Sequence, residues 1–178
     1  MRIISGTYKN RKIEFTKLKS RPTTDFAKES LFNILQNLYN FDKKIVLDLF
    51  AGTGNISYEF ISRGAKKTIA IDSSLACCNF MNKMKEKLEM FNFEIHYSTA
   101  IKFLYHTKCQ FDIIFIDPPF IFSQEKYDEI LKIIYKKKTI NNAGSIIIEH
   151  SNLITFSNHI GFIEERRYGR VHFSFLKP

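Results

Sequence analysis

The sequence predicts an α/β domain, with a mostly parallel sheet covered by helices and an antiparallel hairpin at its C-terminal edge. Two observations carry this. Short apolar runs alternate along the chain with longer segments whose apolar residues recur at helical spacing, the pattern of strands buried on both faces and joined by helical crossovers. The last two strand-like runs are instead joined by the tight Tyr168-Gly169 region, with no helix between them, and so predict a hairpin. At 178 residues, 44% hydrophobic and 25% charged, the chain has the size and composition of a single soluble domain.

The elements follow in order. Residues 2–6 (R-I-I-S-G) and 11–15 (R-K-I-E-F) alternate around T-Y-K-N and predict a short basic β-hairpin. Arg21-Pro22-Thr23-Thr24-Asp25 offers a helix cap, and Phe26, Leu31, Ile34, Leu35 and Leu38 then recur at helical spacing. Strands are predicted at 44–49, 67–71, 93–98, 111–116 and 144–149, and helices at about 55–63, 74–91, 100–106 and 125–137. Runs at 160–165 and 171–176 supply the closing hairpin. With no repeat or linker, the chain divides into a basic N-terminal extension, 1–22, and a domain proper, 23–178.

Charge is concentrated at one end. Within residues 1–21, Arg2, Lys9, Arg11, Lys12, Lys17, Lys19 and Arg21 face Glu14 alone, which accounts for about two thirds of the formal net charge of +9. A segment of this kind suits a polyanionic partner. No apolar run is long enough to span a membrane, and the opening residues lack a secretory signal's apolar stretch, so a cytoplasmic chain with no membrane partner is expected. Cys77, Cys78 and Cys109 have no Cys-x-x-Cys spacing, and the histidines show no ligand spacing, so no metal is expected.

Three motifs fall at successive strand–loop junctions, where open α/β sheets bind ligands. Asp48-Leu-Phe-Ala-Gly-Thr-Gly54-Asn55 combines glycines, which let backbone approach a ligand, with the start of a helix, whose free N–H groups favour an anion. A dinucleotide fingerprint would place its third glycine at position 57, which is Ser57 here. Ile71-Asp72-Ser73 puts a carboxylate 20 residues beyond Gly52, the spacing of an acid that accepts ribose hydroxyls. Finally, F-I-D-P-P-F at 115–120 ends an apolar strand in an acid and two of the chain's four prolines. Each proline fixes φ and constrains the residue before it, so the exit from the strand is stiff.

In this order the motifs resemble the S-adenosylmethionine-dependent amino-methyltransferases of the Rossmann-like class I, whose [DN]-P-P-[YFW] signature holds an exocyclic amine. The chemistry explains the residues. An exocyclic amine on a nucleobase is a poor nucleophile because its lone pair is delocalised into the ring. A carboxylate oxygen and a backbone carbonyl, each accepting one N–H, favour a pyramidal nitrogen and stabilise positive charge as it forms. The resemblance gives these roles to Asp117 and the carbonyl of Pro118, with Phe120 stacking on the flipped base.

The whole chain resembles the RsmD family, the 16S ribosomal RNA guanine-966 N2-methyltransferases. R-I-I-S-G-T-Y-K-N-R-K-I, R-P-T-T-D-x-x-K-E-S-L-F-N-I-L at 21–35, D-L-F-A-G-T-G, S-R-G-A at 62–65, D-P-P-F and the late R-Y-G match in order and spacing. The resemblance implies that S-adenosylmethionine is held at its methionine portion by Asp48, Gly52, Gly54 and Asn55 and at its ribose by Asp72. Phe50, Ala51, Ser73, Thr99 and Ala100 complete the implied cofactor set. Arg2, Lys9, Arg11, Lys12, Arg21, Thr23 and Pro119 are the implied contacts to 16S ribosomal RNA in the small subunit, made by a monomer. Two positions depart from the family: Phe26 replaces a usual basic residue, and Ser98-Thr99-Ala100 replaces the usual acid or amide before alanine.

Three other readings compete. The same signature serves DNA or RNA amino-methyltransferases acting on adenine N6 or cytosine N4, but the DNA enzymes usually add a recognition domain for which this length leaves no room. A nicotinamide-dependent oxidoreductase gives Asp-Pro-Pro-Phe no task. A non-catalytic RNA-binding module gives Asp48, Asp72 and Asp117 none.

Overall fold

The computed structural model describes residues 1–13, 25–119 and 121–178. The first β–α pairs are β1 (Ile45–Asp48), α2 (Asn55–Ser62), β2 (Lys67–Asp72) and α3 (Leu75–Lys87), preceded by α1 (Asp25–Leu38). They are followed by β3 (Phe93–Tyr97), α4 (Ala100–His106), β4 (Phe111–Ile116), α5 (Gln124–Lys137), β5 (Ile140–His150), β6 (Phe162–Tyr168) and β7 (Val171–Leu176). The seven strands form one sheet in the order β3-β2-β1-β4-β5-β7-β6. The first five strands in that order run parallel, and β7 and β6 pair antiparallel at the edge, as the sequence pattern predicts. Among the described residues, no helix is long and apolar enough to cross a membrane.

Alternation along the strands sends side chains to two covered faces. Ile114 and Ile116 of β4 pack with Leu104 of α4 and Ile130 and Ile134 of α5. Ile113 and Phe115 point the other way, into Leu31, Phe32 and Leu35 of α1 and Phe60 of α2. Asp112, the one acid inside the β4 run, sits near the strand's start. It accepts hydrogen bonds from Ile45 N (2.8 Å) and Asn141 Nδ2 (3.0 Å), tying together the starts of β1 and β5.

Three elements differ from the sequence reading by two residues or more at an end. Helix α3 stops at Lys87 because the chain turns left-handed at Glu89 (φ 53°). Strand β5 begins at Ile140, although Asn141–Gly144 look turn-like, because pairing with β4 starts at Phe111↔Ile140 and passes through an irregularity before Ile113. Strand β6 runs through Glu164-Glu165-Arg166-Arg167, where the charges hide the apolar pattern, as suits an edge strand protected from further pairing.

Among the described residues the N-terminal segment folds back on itself, with one antiparallel bridge, Arg2↔Lys12, flanked by bonds from Ile3 N to Arg11 O (3.2 Å), Asn10 N to Ile3 O (2.9 Å) and Ile13 N to Met1 O (3.0 Å). Positions 14 and 15 of the expected hairpin lie outside the described residues. Four of the segment's N–H groups turn to helix α2. Ile4 N and Ser5 N donate to the carboxylate of Glu59 (2.9 and 3.1 Å), Thr7 N to Ser62 O (2.7 Å) and Tyr8 N to Ser62 Oγ (3.0 Å). Ile3 and Ile13 are buried with Tyr58, Ile61 and Met81. The segment is thus seated on the domain, and Gly6 is where backbone meets backbone. At φ +84°, an added Cβ would lie 1.7 Å from Ser62 O, whereas Gly64 at φ +91° faces open space.

Urea unfolding separates these two glycines. Both alanine variants suffer the left-handed strain, but Gly6→Ala also forces two backbones apart. It is expected to lose about 1–3 kcal/mol more than Gly64→Ala, the range of a steric overpacking. Equal losses would mean that the segment is not seated on α2 in solution.

Candidate active site

Four adjacent strands bring acids to one edge of the sheet. Asp72 ends β2, Asp48 ends β1, Asp117 follows the last residue of β4, and Glu149 is next to last in β5. The strand order reverses between β1 and β4, the place where the crossovers diverge and leave a crevice. A cavity of about 890 Å³ opens there. Asp48, Phe50, Ala51, Gly52, Asn55, Asp72, Ser73, Thr99, Ala100, Asp117, Pro118 and Pro119 all line it. Residues from four separate loops therefore meet in one space.

The glycine loop is bent into shape by Asp72. Its Oδ2 accepts from Gly52 N and its Oδ1 from Ser74 N, both at 2.7 Å. These bonds leave Asp72 able to accept from a ligand, because a carboxylate has about four acceptor positions and two are used. Gly52 (φ 53°) and Gly54 (φ 84°) both take the left-handed conformation. Gly54 does not line the cavity; it packs against the Tyr58 ring, where an added Cβ would meet Cζ at 2.8 Å. Asn55 opens α2, and its Nδ2 is buried without a hydrogen-bond partner. An orphaned donor at a helix start, inside a cavity, calls for an acceptor oxygen from a ligand.

Asp48 is fully buried, with Ser57 Oγ donating to its Oδ2 at 2.7 Å. Burial pushes its carboxyl up to about 7, against the Ser57 hydrogen bond, and nearby Asp72 pushes the same way. Asp117 is half-buried. Burial first, then the carboxyls of Glu149 and Asp48, hold it well above the usual carboxylate range. At the mouth, Phe122 packs edge-on against Phe50 (centroids 5.4 Å), and Lys126 Nζ lies 5.3 Å from the Phe122 ring centre. Thr99 caps α4, its hydroxyl oxygen accepting from Lys102 N at 3.3 Å, which leaves its O–H free to donate.

Arg21, Thr23 and Phe120 lie outside the described residues. Arg2, Lys9, Arg11 and Lys12 are exposed on the N-terminal segment and do not line the cavity. Arg2 pairs with Asp25 at 3.7 Å. Phe26 is exposed, edge-on to Tyr168. Sequence reasoning missed Thr53, Ser98, Phe122, Lys126 and Glu129 of the lining, and the partnership of Ser57 with Asp48. Ser57 registered only as an absent glycine, although a hydroxyl nine residues after a strand-end acid, one turn into the next helix, was the available signal. Three potential metal ligands, His150, Glu165 and His172, also meet across β5, β6 and β7, with ligand atoms within 4.8 Å of one another. Spacing along the chain could not show that grouping. His172 Nδ1 lies 3.2 Å from Glu165 Oε1, while Ser174 Oγ lies 2.8 Å from His150 Nε2 and Arg167 Nε donates to Glu165 (2.6 Å).

The family model described as conserved hypothetical protein 95 matches residues 1–177. The ribosomal RNA small subunit methyltransferase D of Buchnera aphidicola subsp. Baizongia pistaciae is 32% identical, over 98% of this chain and 90% of that protein. The chain belongs to that family, the RsmD family. The solved structure of the yhhF protein from Escherichia coli shares 27% identity and superposes with a TM-score of 0.86, covering 99% of this chain and 97% of that one. An RNA methyltransferase from Salinibacter ruber, solved with S-adenosyl-L-homocysteine, is alike in fold only. It shares 9% identity at a TM-score of 0.69, over 88% of this chain and 93% of that one. The family shares the class I methyltransferase architecture seen here.

The raised Asp48 carboxyl makes a stability prediction for the ligand-free protein. Its folded value, about 7, exceeds its ordinary 3.8, so the folded state holds the proton more tightly. At about pH 3 and below, both states are largely protonated. As pH rises toward 7 the unfolded chain ionises first, stability falls, and the loss levels off above 7. Asp48→Asn should therefore match wild type near pH 3 and exceed it near pH 8, by on the order of a few kcal/mol. Thermal melts across this range check it, and a constant difference at every pH would contradict the assignment.

Proposed function

We propose that this chain transfers a methyl group from S-adenosylmethionine to the exocyclic N2 of a guanine, the 966-equivalent, in 16S ribosomal RNA. The substrate in this reading is an assembled or partly assembled small subunit, and the enzyme acts as a cytoplasmic monomer. The observation that carries it is the meeting of Asp117-Pro118-Pro119 with the glycine loop and Asp72 in one cavity. Small-subunit ribosomal RNA as substrate comes from the relatives' names; the guanine N2 comes from the family resemblance.

The residues present fit the cofactor. Asn55 Nδ2 supplies the unpaired donor for a carboxylate, Asp72 keeps acceptor capacity for ribose hydroxyls, and Ser73, Thr99 and Ala100 form the wall beyond it. Asp48 sits where a positive group would restore its charged form. When bound, S-adenosylmethionine supplies an electrophilic methyl group. Asp117 and the Pro118 carbonyl accept the two N–H groups of the target amine, and neither proline offers a competing donor. The raised proton affinity of Asp117 makes its carboxylate a better acceptor of the proton that the amine must lose. Pro119 lines the entrance, and Phe120 is the stacking ring of this reading.

The basic segment, residues 1–22 in this reading, presents Lys9, Arg11 and Lys12 to RNA phosphates. Because residues 2–8 satisfy Glu59 and Ser62, deleting the segment would disturb the fold. Neutralising Lys9, Arg11 and Lys12 to Gln is the cleaner test. The log–log salt dependence of RNA binding should flatten by roughly 0.7–0.9 for each phosphate no longer neutralised, with cofactor affinity unchanged. An unaltered slope would make these charges a solvated face.

Asp117→Ala should lower kcat by about 10²–10³, the cost of losing one transition-state hydrogen-bonding group, with little change in cofactor affinity. Asp117→Asn keeps an acceptor oxygen and should retain about tenfold more turnover than alanine. Near-wild-type turnover by Asp117→Ala would remove the amine-holding role. The substrate itself is tested by nucleoside mapping of small-subunit RNA from cells lacking the gene, before and after treatment with the purified enzyme. The expected product is N2-methylguanine at one position. N6-methyladenine or N4-methylcytosine would favour the alternative amino-methyltransferase reading.

A further inference from the structure

We infer that Lys28 is a positioning residue for the cofactor site: its ammonium fixes the amide of Asn55 so that the Nδ2 donor is presented to the carboxylate of the cofactor's amino-acid portion. The inference rests on the cofactor reading above.

Lys28 lies in the first turn of α1, inside the K-E-S-L-F-N-I-L run, and is fully buried. A buried lysine must spend its three donors within the protein. Here they go to Arg2 O at 2.6 Å, to Asn55 Oδ1 at 2.8 Å and toward Glu59 Oε2 at 3.6 Å. Burial lowers the Lys28 pKa, while Glu59 holds it up. Neutralising Glu59 is not a sufficient reason for Lys28. That carboxylate also takes Arg63 Nε at 2.8 Å and the N–H groups of Ile4 and Ser5.

What Lys28 alone supplies is direction. An amide has an accepting end and a donating end, and an ammonium can face only the accepting one. With Oδ1 held on Lys28, Nδ2 must point elsewhere, and it is buried with no partner in a residue that lines the cavity. Without Lys28 the amide could turn over, presenting oxygen to an incoming carboxylate. The bond to the Arg2 carbonyl further ties this geometry to the seated N-terminal segment, so the site is braced from α1, α2 and residues 2–8 together.

The test compares two molecules that share a nucleoside and sulfur. S-adenosylhomocysteine carries the amino-acid carboxylate; 5′-methylthioadenosine does not. Calorimetry on Lys28→Met should show S-adenosylhomocysteine weakened by about 10- to 100-fold, the loss of a hydrogen bond to a charged group, with methylthioadenosine changed by less than about twofold. In an Asn55→Ala background, Lys28→Met should add almost nothing, since it acts through Asn55. Equal weakening of both molecules, or of neither, would overturn the inference. Lys28→Gln, which keeps a polar head, replaces the methionine variant if that does not fold, and the same split decides. A wild-type chain that binds neither molecule overturns the cofactor reading itself, and the inference with it.

Discussion

Four acids from adjacent strands crowd one edge of the parallel sheet, and the rest of the site answers that crowding. Asp72, Asp48, Asp117 and Glu149 converge because parallel strands all deliver their carboxyl ends to the same side. Burial first, and neighbouring carboxyls after it, raise the proton affinity of Asp48 and Asp117. The protein relieves part of the strain locally, with Ser57 on Asp48 and two backbone N–H groups on Asp72. The remainder is an electrostatic preference for a cationic ligand, which is what a sulfonium cofactor offers in the proposed function.

The second organising contact is the buried Glu59. It collects Arg63, the ion pair with Lys28 and two N–H groups of the N-terminal segment, so the start of the chain, α1 and α2 share one anchor. The basic residues thereby stand on a fixed platform next to the domain. Phosphate contacts made from such a platform would orient a nucleic acid relative to the cavity as well as attract it.

The fold was legible because its signals are local. Alternating apolar runs and helical periodicity specify parallel pairing, and Tyr168-Gly169 marks the one hairpin at the sheet's edge. The motifs named Asp48, Gly52, Asp72 and Asp117 because strand ends are where chemistry gathers in such a sheet. The partnerships were not legible. Lys28 reads as a surface lysine in an amphipathic helix, and only tertiary packing shows it fully buried. Ser57 and Glu149 have meaning only through the acids beside them in space, and β6 was displaced because charged edge strands lack an alternating pattern. Gly54, expected at the ligand, packs against the Tyr58 ring, a contact that the motif does not reveal.

The central claim is that the acid-lined cavity accepts a positively charged cofactor. The direct measurement is calorimetry of S-adenosylmethionine binding near neutral pH, repeated in buffers of different ionisation enthalpy, so that protons exchanged on binding are counted. Carboxyls held partly protonated by burial should ionise when the cation arrives. The account predicts one site per chain with net proton release, and less release for the neutral-sulfur product S-adenosylhomocysteine. Absence of binding, or binding with no difference in proton release between the two molecules, would contradict it.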